Sequence, residues 1–233
     1  MKLREQAYES FTRHLLAMDI RPGQFISQRE LVALTGLKLG AIRELIPRLE
    51  ADGLIVTVPQ RGMQIANLDL KLVRNAFQLR AILEKEAVAD FTRRASDEEI
   101  EEMAAALERV TRKAERGSGR LVLEEAQAVD WGFHDRLIGA LGNEIIQNLY
   151  RVNSIKIRLI RLERVVLSPD SLMPALREHA EIIAAIRSRD VDRAVGAMDR
   201  HMTSARNRAM GIALAEAQAP PPVGTPLARR RRS

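Results

Sequence analysis

Between residues 69 and 213 an apolar side chain returns at every third or fourth position, and nowhere in that span do apolar and polar residues alternate as a half-buried strand requires. A stretch that long with a single period folds as helices laid side by side, because each amphipathic helix has to bury its stripe against another. Breakers divide it. Ser96-Asp-Glu-Glu99 has the form of a capping box, Arg116-Gly-Ser-Gly119 and Gly142-Asn143 are turns, and Ser168-Pro-Asp170 and Asp190 mark helix starts. The spacing predicts six helices, over 69–93, 97–115, 120–141, 143–166, 171–188 and 190–213.

The first 67 residues follow a different plan. Ala7, Tyr8, Phe11, Leu15 and Met18 recur at helical spacing until Arg21-Pro-Gly23 ends the pattern. Ser27-Gln-Arg-Glu30 is a second capping box, opening a short helix to about Leu34, and Thr35-Gly36 turns the chain. Ile42, Leu45, Ile46 and Leu49 mark a third helix, closed by Asp52-Gly53. Leu54–Val58 and Met63–Ala66 are β-prone runs on either side of Pro59-Gln-Arg-Gly62. Three helices and a hairpin in this order make a winged helix-turn-helix. The expected fold class is therefore mostly α: a winged helix-turn-helix over 1–67, an all-α six-helix bundle over 68–214, and a tail over 215–233. With Pro220-Pro-Pro222, Pro226 and Arg229 to Arg232, that tail is expected to be disordered.

Charge and composition narrow the function. The formal charge of +6 divides into +2 on residues 1–66, +1 on 67–215 and +3 on the tail, so a DNA-binding reading has to rest on where charges sit rather than on their sum. There is no cysteine, which excludes disulfides, thiolate nucleophiles and Cys-ligated metal centres. No uncharged apolar run approaches bilayer length, and the amino terminus is charged from its second residue, so a cytoplasmic protein with no membrane partner is expected.

Three of the four histidines fall on apolar stripes of different bundle helices. His134 lies among Val129, Phe133, Leu137 and Leu141, His179 among Leu176, Ile183 and Ile186, and His201 among Val195, Met198 and Ala205. Asp130 is one turn before His134 and shares its face. Three imidazoles and a carboxylate turned inward are costly unless compensated, and one divalent cation would compensate all four. The alternative is that each histidine is a satisfied core residue with Asp130 as a hydrogen-bond partner. Arg80 is a second anomaly, on the stripe of Val73, Ala76, Phe77, Glu84, Ala87 and Phe91. It can pair with Glu84 one turn on, or grip the carboxylate of a small acid whose other oxygens reach the metal. Asn153 could line the same cavity or face solvent. Trp131 reads as core or dimer surface and His14 as structural.

These parts, in this order, resemble the GntR transcriptional regulators of the FadR subfamily, whose effector domain is called FCD. The likeness covers about residues 5 to 210. It is carried by Arg21-Pro-Gly23, Gln28-Arg-Glu-Leu31, Ile42-Arg-Glu44, Leu49-Glu-Ala-Asp-Gly-Leu54 and Pro59-Gln-Arg-Gly62. In the bundle it continues with Leu79-Arg-Ala-Ile-Leu-Glu84, Asp130-Trp-Gly-Phe-His134, Gly142-Asn143, Glu178-His179 and Asp190 through His201. The resemblance implies a homodimer on palindromic double-stranded operator DNA, controlled by a small organic acid from a catabolic pathway. It also implies a metal, zinc first with nickel or manganese as alternatives, on Asp130, His134, His179 and His201.

By the same resemblance Arg29, Arg43, Arg61 and Gly62 occupy DNA-contacting positions, with Lys38 and Arg48 as further candidates on the recognition helix. For Arg43 and Arg48 the alternative is a solvated face paired with Glu44 or Asp52. Where relatives begin the recognition helix with Ser-Arg-Thr-Pro, this chain has Lys38-Leu-Gly-Ala41, which removes the hydroxyl N-cap and a base-reading arginine. The operator sequence therefore does not carry over. Two other functions compete: an enzyme that activates water on the Asp/His set, and a regulator whose metal is purely structural. Against the enzyme, no histidine is spare as a general base and Glu84 is the one inward carboxylate that could serve.

Overall fold

The computed structural model describes residues 3–117, 119–164 and 169–211, and the tail expected from residue 215 onward lies outside them. Its N-terminal part opens with α1 (Leu3–Leu16), the two-residue strand β1 (Phe25–Ile26), α2 (Gln28–Thr35) and α3 (Leu39–Ala51). The strands β2 (Ile55–Val58) and β3 (Gly62–Ile65) complete it. The expected hairpin is thus two strands of a three-stranded antiparallel sheet in the order β1-β3-β2, with Phe25 opposite Gln64 and Val58 opposite Gly62. Two residues are too few to show alternation, which is why β1 leaves no trace in the sequence pattern.

Helix starts obey local chemistry. Ser27 and Glu30 close a capping box on α2, with the Ser27 amide donating to Glu30 Oε2 at 2.7 Å and the Glu30 amide to Ser27 Oγ at 3.2 Å. Gly36, at φ +68°, supplies the left-handed residue that ends α2. Lys38 occupies the N-cap of α3 and makes no side-chain cap, as its lack of a hydroxyl dictates.

The remaining described helices are α4 (Leu70–Arg94), α5 (Asp97–Arg116), α6 (Arg120–Ala140), α7 (Glu144–Arg164), α8 (Pro169–Arg187) and α9 (Val191–Ala209). The last is shorter than its periodicity suggested, because Met210 and Gly211, the latter at φ +70°, turn the chain away. Among the described residues no helix is long and apolar enough to cross a membrane.

α4 is the central element and packs against α9, α7 and α6. Its length lets it serve two cores. One core holds Ala87, Val88 and Phe91 of α4 with apolar residues of α5 to α9. The other joins Phe11, Leu31, Leu49 and Ile65 of the winged helix to Val73, Ala76 and Phe77 of α4, Ile157 and Ile160 of α7, and Ala209 of α9. The winged helix therefore has no apolar core wholly its own, since part of its burial comes from bundle helices. Ile160→Ala, at a fully buried position of that shared core, should cost about 2–5 kcal/mol and shift one cooperative transition in urea. Separate unfolding of the two parts, with only one displaced, would contradict the shared core.

Candidate functional site

The bundle brings His134 of α6, His179 of α8 and His201 of α9 together, all three buried, with one ligand-type atom from each lying within 4.8 Å of the others. His134 Nε2 and His179 Nε2 are 3.2 Å apart. Two nitrogens bound at about 2.0–2.1 Å to one tetrahedral ion lie about 3.3 Å apart, so the observed gap fits a shared ion. It suits a direct hydrogen bond only if one of the two nitrogens carries the proton.

Carboxylates behind the rings set their tautomers. His134 Nδ1 is 2.5 Å from Glu84 Oε2 and His201 Nδ1 is 2.7 Å from Glu178 Oε2, so each ring donates from Nδ1 and leaves Nε2 as a bare acceptor. Imidazole backed by a carboxylate in this way is the usual support of a histidine metal ligand. Burial is the largest influence on all three rings and favours the neutral form. It brings His134 down to about 4 and His179 to about 3, with neighbouring positive groups adding to the effect, and it lowers His201 too. The rings are therefore uncharged at neutral pH, and the Nε2 lone pairs of His134 and His201 are available.

Each carboxylate here has its own guanidinium. Arg80 Nε donates to Glu84 Oε1 at 2.6 Å, and Tyr150 Oη reaches the same oxygen at 3.3 Å. Arg161 holds Asp130 Oδ2, while Asp130 Oδ1 faces His179 Nε2 at 3.6 Å. Arg208 binds Glu178 bidentately at 2.8 and 2.9 Å. Burial by itself would raise all three carboxyls, but these cations outweigh it: Glu84 and Glu178 are both held at about 2, and Asp130 far below the ordinary carboxylate range. Three carboxylates and three guanidiniums balance, and the imidazoles add no charge.

A cavity of about 40 Å³ opens on this cluster, with Arg80, Asp130, Arg161, His179, His201 and Arg208 among its walls. Arg80 takes the Glu84 pairing, one of the two readings given to it. Its buried Nη2 has no hydrogen-bond partner among the described residues. Phe77 and Ala205 also line the cavity, and both pack in the core that contains the winged helix.

Two of the candidate residues lie away from the places expected of them. Asn153 is buried, but its Nδ2 donates to the Ala76 carbonyl at 2.9 Å and it lines an outer groove between α3 and α7 rather than this cavity. Arg48 lies five residues beyond Arg43, about 140° further round the helix. That turns it onto the Tyr8 ring, 4.2 Å from its centroid, and toward Glu5 at 3.3 Å. Trp131 is half-buried beneath the guanidiniums of Arg158 and Arg161, and His14 pairs with Asp19 at 2.7 Å. Arg161, Tyr150 and Arg208 were not singled out from sequence, and Glu178 entered only beside His179 in the family likeness, with no role. Each serves a partner on another helix, and no periodicity links residues across helices.

On the winged helix, Arg29, Lys38 and Arg43 are exposed where α2 and α3 begin, and Arg43 Nε reaches Gln28 Oε1 at 3.4 Å across that junction. Arg61 is exposed at the wing and leans over the Phe25 ring at 4.3 Å. The adjoining Gly62 sits at φ +89°, a conformation that strains any side chain, and a Cβ there would lie a tight 3.2 Å from the Ile26 carbonyl oxygen.

Removing the Glu84 charge tests the cluster. Glu84→Gln strands the buried Arg80 guanidinium and withdraws the partner of His134, and should cost about 3–5 kcal/mol in denaturant unfolding. A loss under about 1 kcal/mol would mean the pair is not buried as described.

Comparison with known proteins agrees with this architecture. Residues 75–204 match the FCD domain family and residues 3–65 the family described as bacterial regulatory proteins, gntR family. The HTH-type transcriptional repressor RspR of Escherichia coli (strain K12) is 28% identical over 202 residues, covering 85% of each chain. The Nta operon transcriptional regulator of Aminobacter aminovorans is 31% identical over 146 residues, 63% of this chain and 67% of that protein. The structure of E. coli McbR/YncC superposes with a TM-score of 0.72 at 17% identity, covering 91% of this chain and 98% of that one. The chain belongs to the gntR family of bacterial regulatory proteins, with an FCD domain following its winged helix, and is a DNA-binding transcriptional regulator rather than an enzyme.

Proposed function

We propose that this regulator is a metal-containing sensor of a small organic acid, which binds a palindromic operator as a homodimer in the cytoplasm and controls a catabolic operon. The observation that carries the reading is the convergence of three buried, neutral imidazoles, two of them fixed by carboxylates so that Nε2 points into a common space. His134, His179 and His201 would hold the ion, with Asp130 Oδ1 as a fourth donor. A donor set of three nitrogens and one oxygen suits zinc, with nickel or manganese as alternatives. A bound divalent ion supplies fixed positive charge against which a carboxylate can be held.

The rest follows from residues of the chain. The cluster is neutral by itself, so an added dication leaves it with an excess of two positive charges that an anionic effector would offset. Arg80, whose Nη2 has no partner among the described residues, would donate to one carboxylate oxygen. A single water needs about 10–15 Å³, so a cavity of about 40 Å³ takes a carboxylate head but no larger acid unless its walls move. Two of those walls, Phe77 and Ala205, are part of the winged-helix core, so an effector that displaces them favours one placement of the winged helices over another. Two recognition helices engage a palindrome only when spaced near one helical turn, about 34 Å. Repression is the mode favoured by the relatives named as repressors.

On DNA, Arg29, Lys38 and Arg43 would meet the operator at the start of the recognition helix, and Arg61 and Gly62 at the wing. Fragments captured from sheared source DNA should share a palindrome, and the neighbouring genes would nominate acids to assay. Measured by fluorescence anisotropy on that site, Arg43→Ala and Arg61→Ala should each weaken binding by about 1–3 kcal/mol. Arg48→Ala should leave affinity within about threefold while lowering thermal stability, because its side chain serves Tyr8 and Glu5. His179→Ala should retain operator binding and lose the response to the acid. A response that survives the loss of His179 would make any metal there purely structural, and failure to enrich a palindrome would remove the operator from the proposal.

A further inference from the structure

On the side of His179 away from the chamber, α5 and α6 part to form a cleft floored by α8. Its volume is about 150 Å³, and its walls include Met103, Leu107, Val129, Phe133 and Ile183. The floor is shared with the sensor site, since the His179 ring lines both spaces and sits 4.8 Å from the Phe133 ring, tilted at 46°. Gly132, within α6, borders the cleft, and a Cβ built on it would meet nothing within 4 Å. Glycine inside a helix costs about 1 kcal/mol relative to alanine. At the mouth, Arg136 pairs with Glu102 at 2.9 Å, both side chains being partly solvated.

We propose that this cleft is a second small-molecule site, separate from the histidine chamber, for a compact aromatic acid whose ring enters the cleft and whose carboxylate binds Arg136. The size matches, because an apolar cavity of about 150 Å³ holds a benzene ring. The chemistry matches as well: the Met103 thioether and the Phe133 ring are favourable neighbours for an aromatic group, and a guanidinium at the mouth presents a fork to a carboxylate. Exchanging Glu102 for the ligand's carboxylate is cheap, since a solvated ion pair contributes less than about 1 kcal/mol. A ring seated on Phe133 and His179 bears on a chamber histidine, so the site would give the regulator a second input. The inference goes beyond the metal-and-acid reading and stands without it.

The test is calorimetric titration of the full chain with benzoate and with benzyl alcohol, in the presence of a chelator so that no carboxylate binds through a metal. Wild type should bind both probes saturably at one site. Gly132→Leu and Ala106→Phe, which fill the cleft from α6 and from α5, should each weaken both probes at least tenfold. Gly132→Leu should do so without loss of melting temperature. Arg136→Gln should weaken benzoate at least fivefold and leave benzyl alcohol unchanged. Ala175→Leu, which fills the chamber and lies outside the cleft, should change neither. The proposal is overturned if wild type binds neither probe, if folded cleft-filling variants bind as wild type does, or if binding disappears in folded Ala175→Leu. The last outcome would move the ligand to the chamber and leave the sensor reading standing.

Discussion

The structure depends on one buried carboxylate. Glu84 has no exposure to solvent, and a charge so placed survives only if surrounded by donors. Arg80, His134 and Tyr150 supply them from three directions. Each contact then has a consequence elsewhere. By accepting from His134 Nδ1, Glu84 turns the ring's lone pair toward His179 and His201. By taking only Nε of Arg80, it leaves part of that guanidinium facing the cavity. By engaging Tyr150, it ties α7 to α4 at the level of the histidines. Glu178 repeats the device for His201 with Arg208 as its guanidinium, so that ligand-type nitrogens on separate helices are oriented by carboxylates on other helices.

α4 gives this cluster its reach. Within one helix, Glu84 and Arg80 face the imidazoles, while Phe77, Ala76 and Val73, one to three turns toward the amino end, are packed with the winged helix. A helix resists bending over that distance, and close-packed interiors transmit displacement rather than absorb it. The histidine cavity and the winged helix are thus joined by rigid packing from α4, α7 and α9 rather than by the short segment connecting the two. The same arrangement explains why the winged helix draws apolar surface from the bundle to complete its own core.

Legibility in the sequence followed the range of the interactions. Features set within a few residues could be read directly: the two capping boxes, the helical periods and the glycine turns are all local chemistry. The inward orientation of His134, His179 and His201 was readable too, because a stripe shows which face of a helix is buried. Partners on other helices were not. Nothing in the order of residues says that Glu178 of α8 supports His201 of α9, that Arg161 of α7 holds Asp130 of α6, or that Asn153 spends its amide on the Ala76 carbonyl. The placement of Arg48 on Tyr8 and Glu5 was not readable either, since it shares a helix with Arg43 but not a face. β1 was invisible because two residues carry no period.

The central claim is that His134, His179 and His201 form one site for one ion. X-ray absorption at the zinc edge, on protein stripped by chelator, reloaded with zinc and passed through a desalting column, tests it most directly. The account predicts one retained equivalent whose first shell contains three imidazoles and at least one oxygen, with an imidazole lost from that shell in His179→Ala. Retention well below one equivalent, or a shell of oxygens without imidazole, would contradict it.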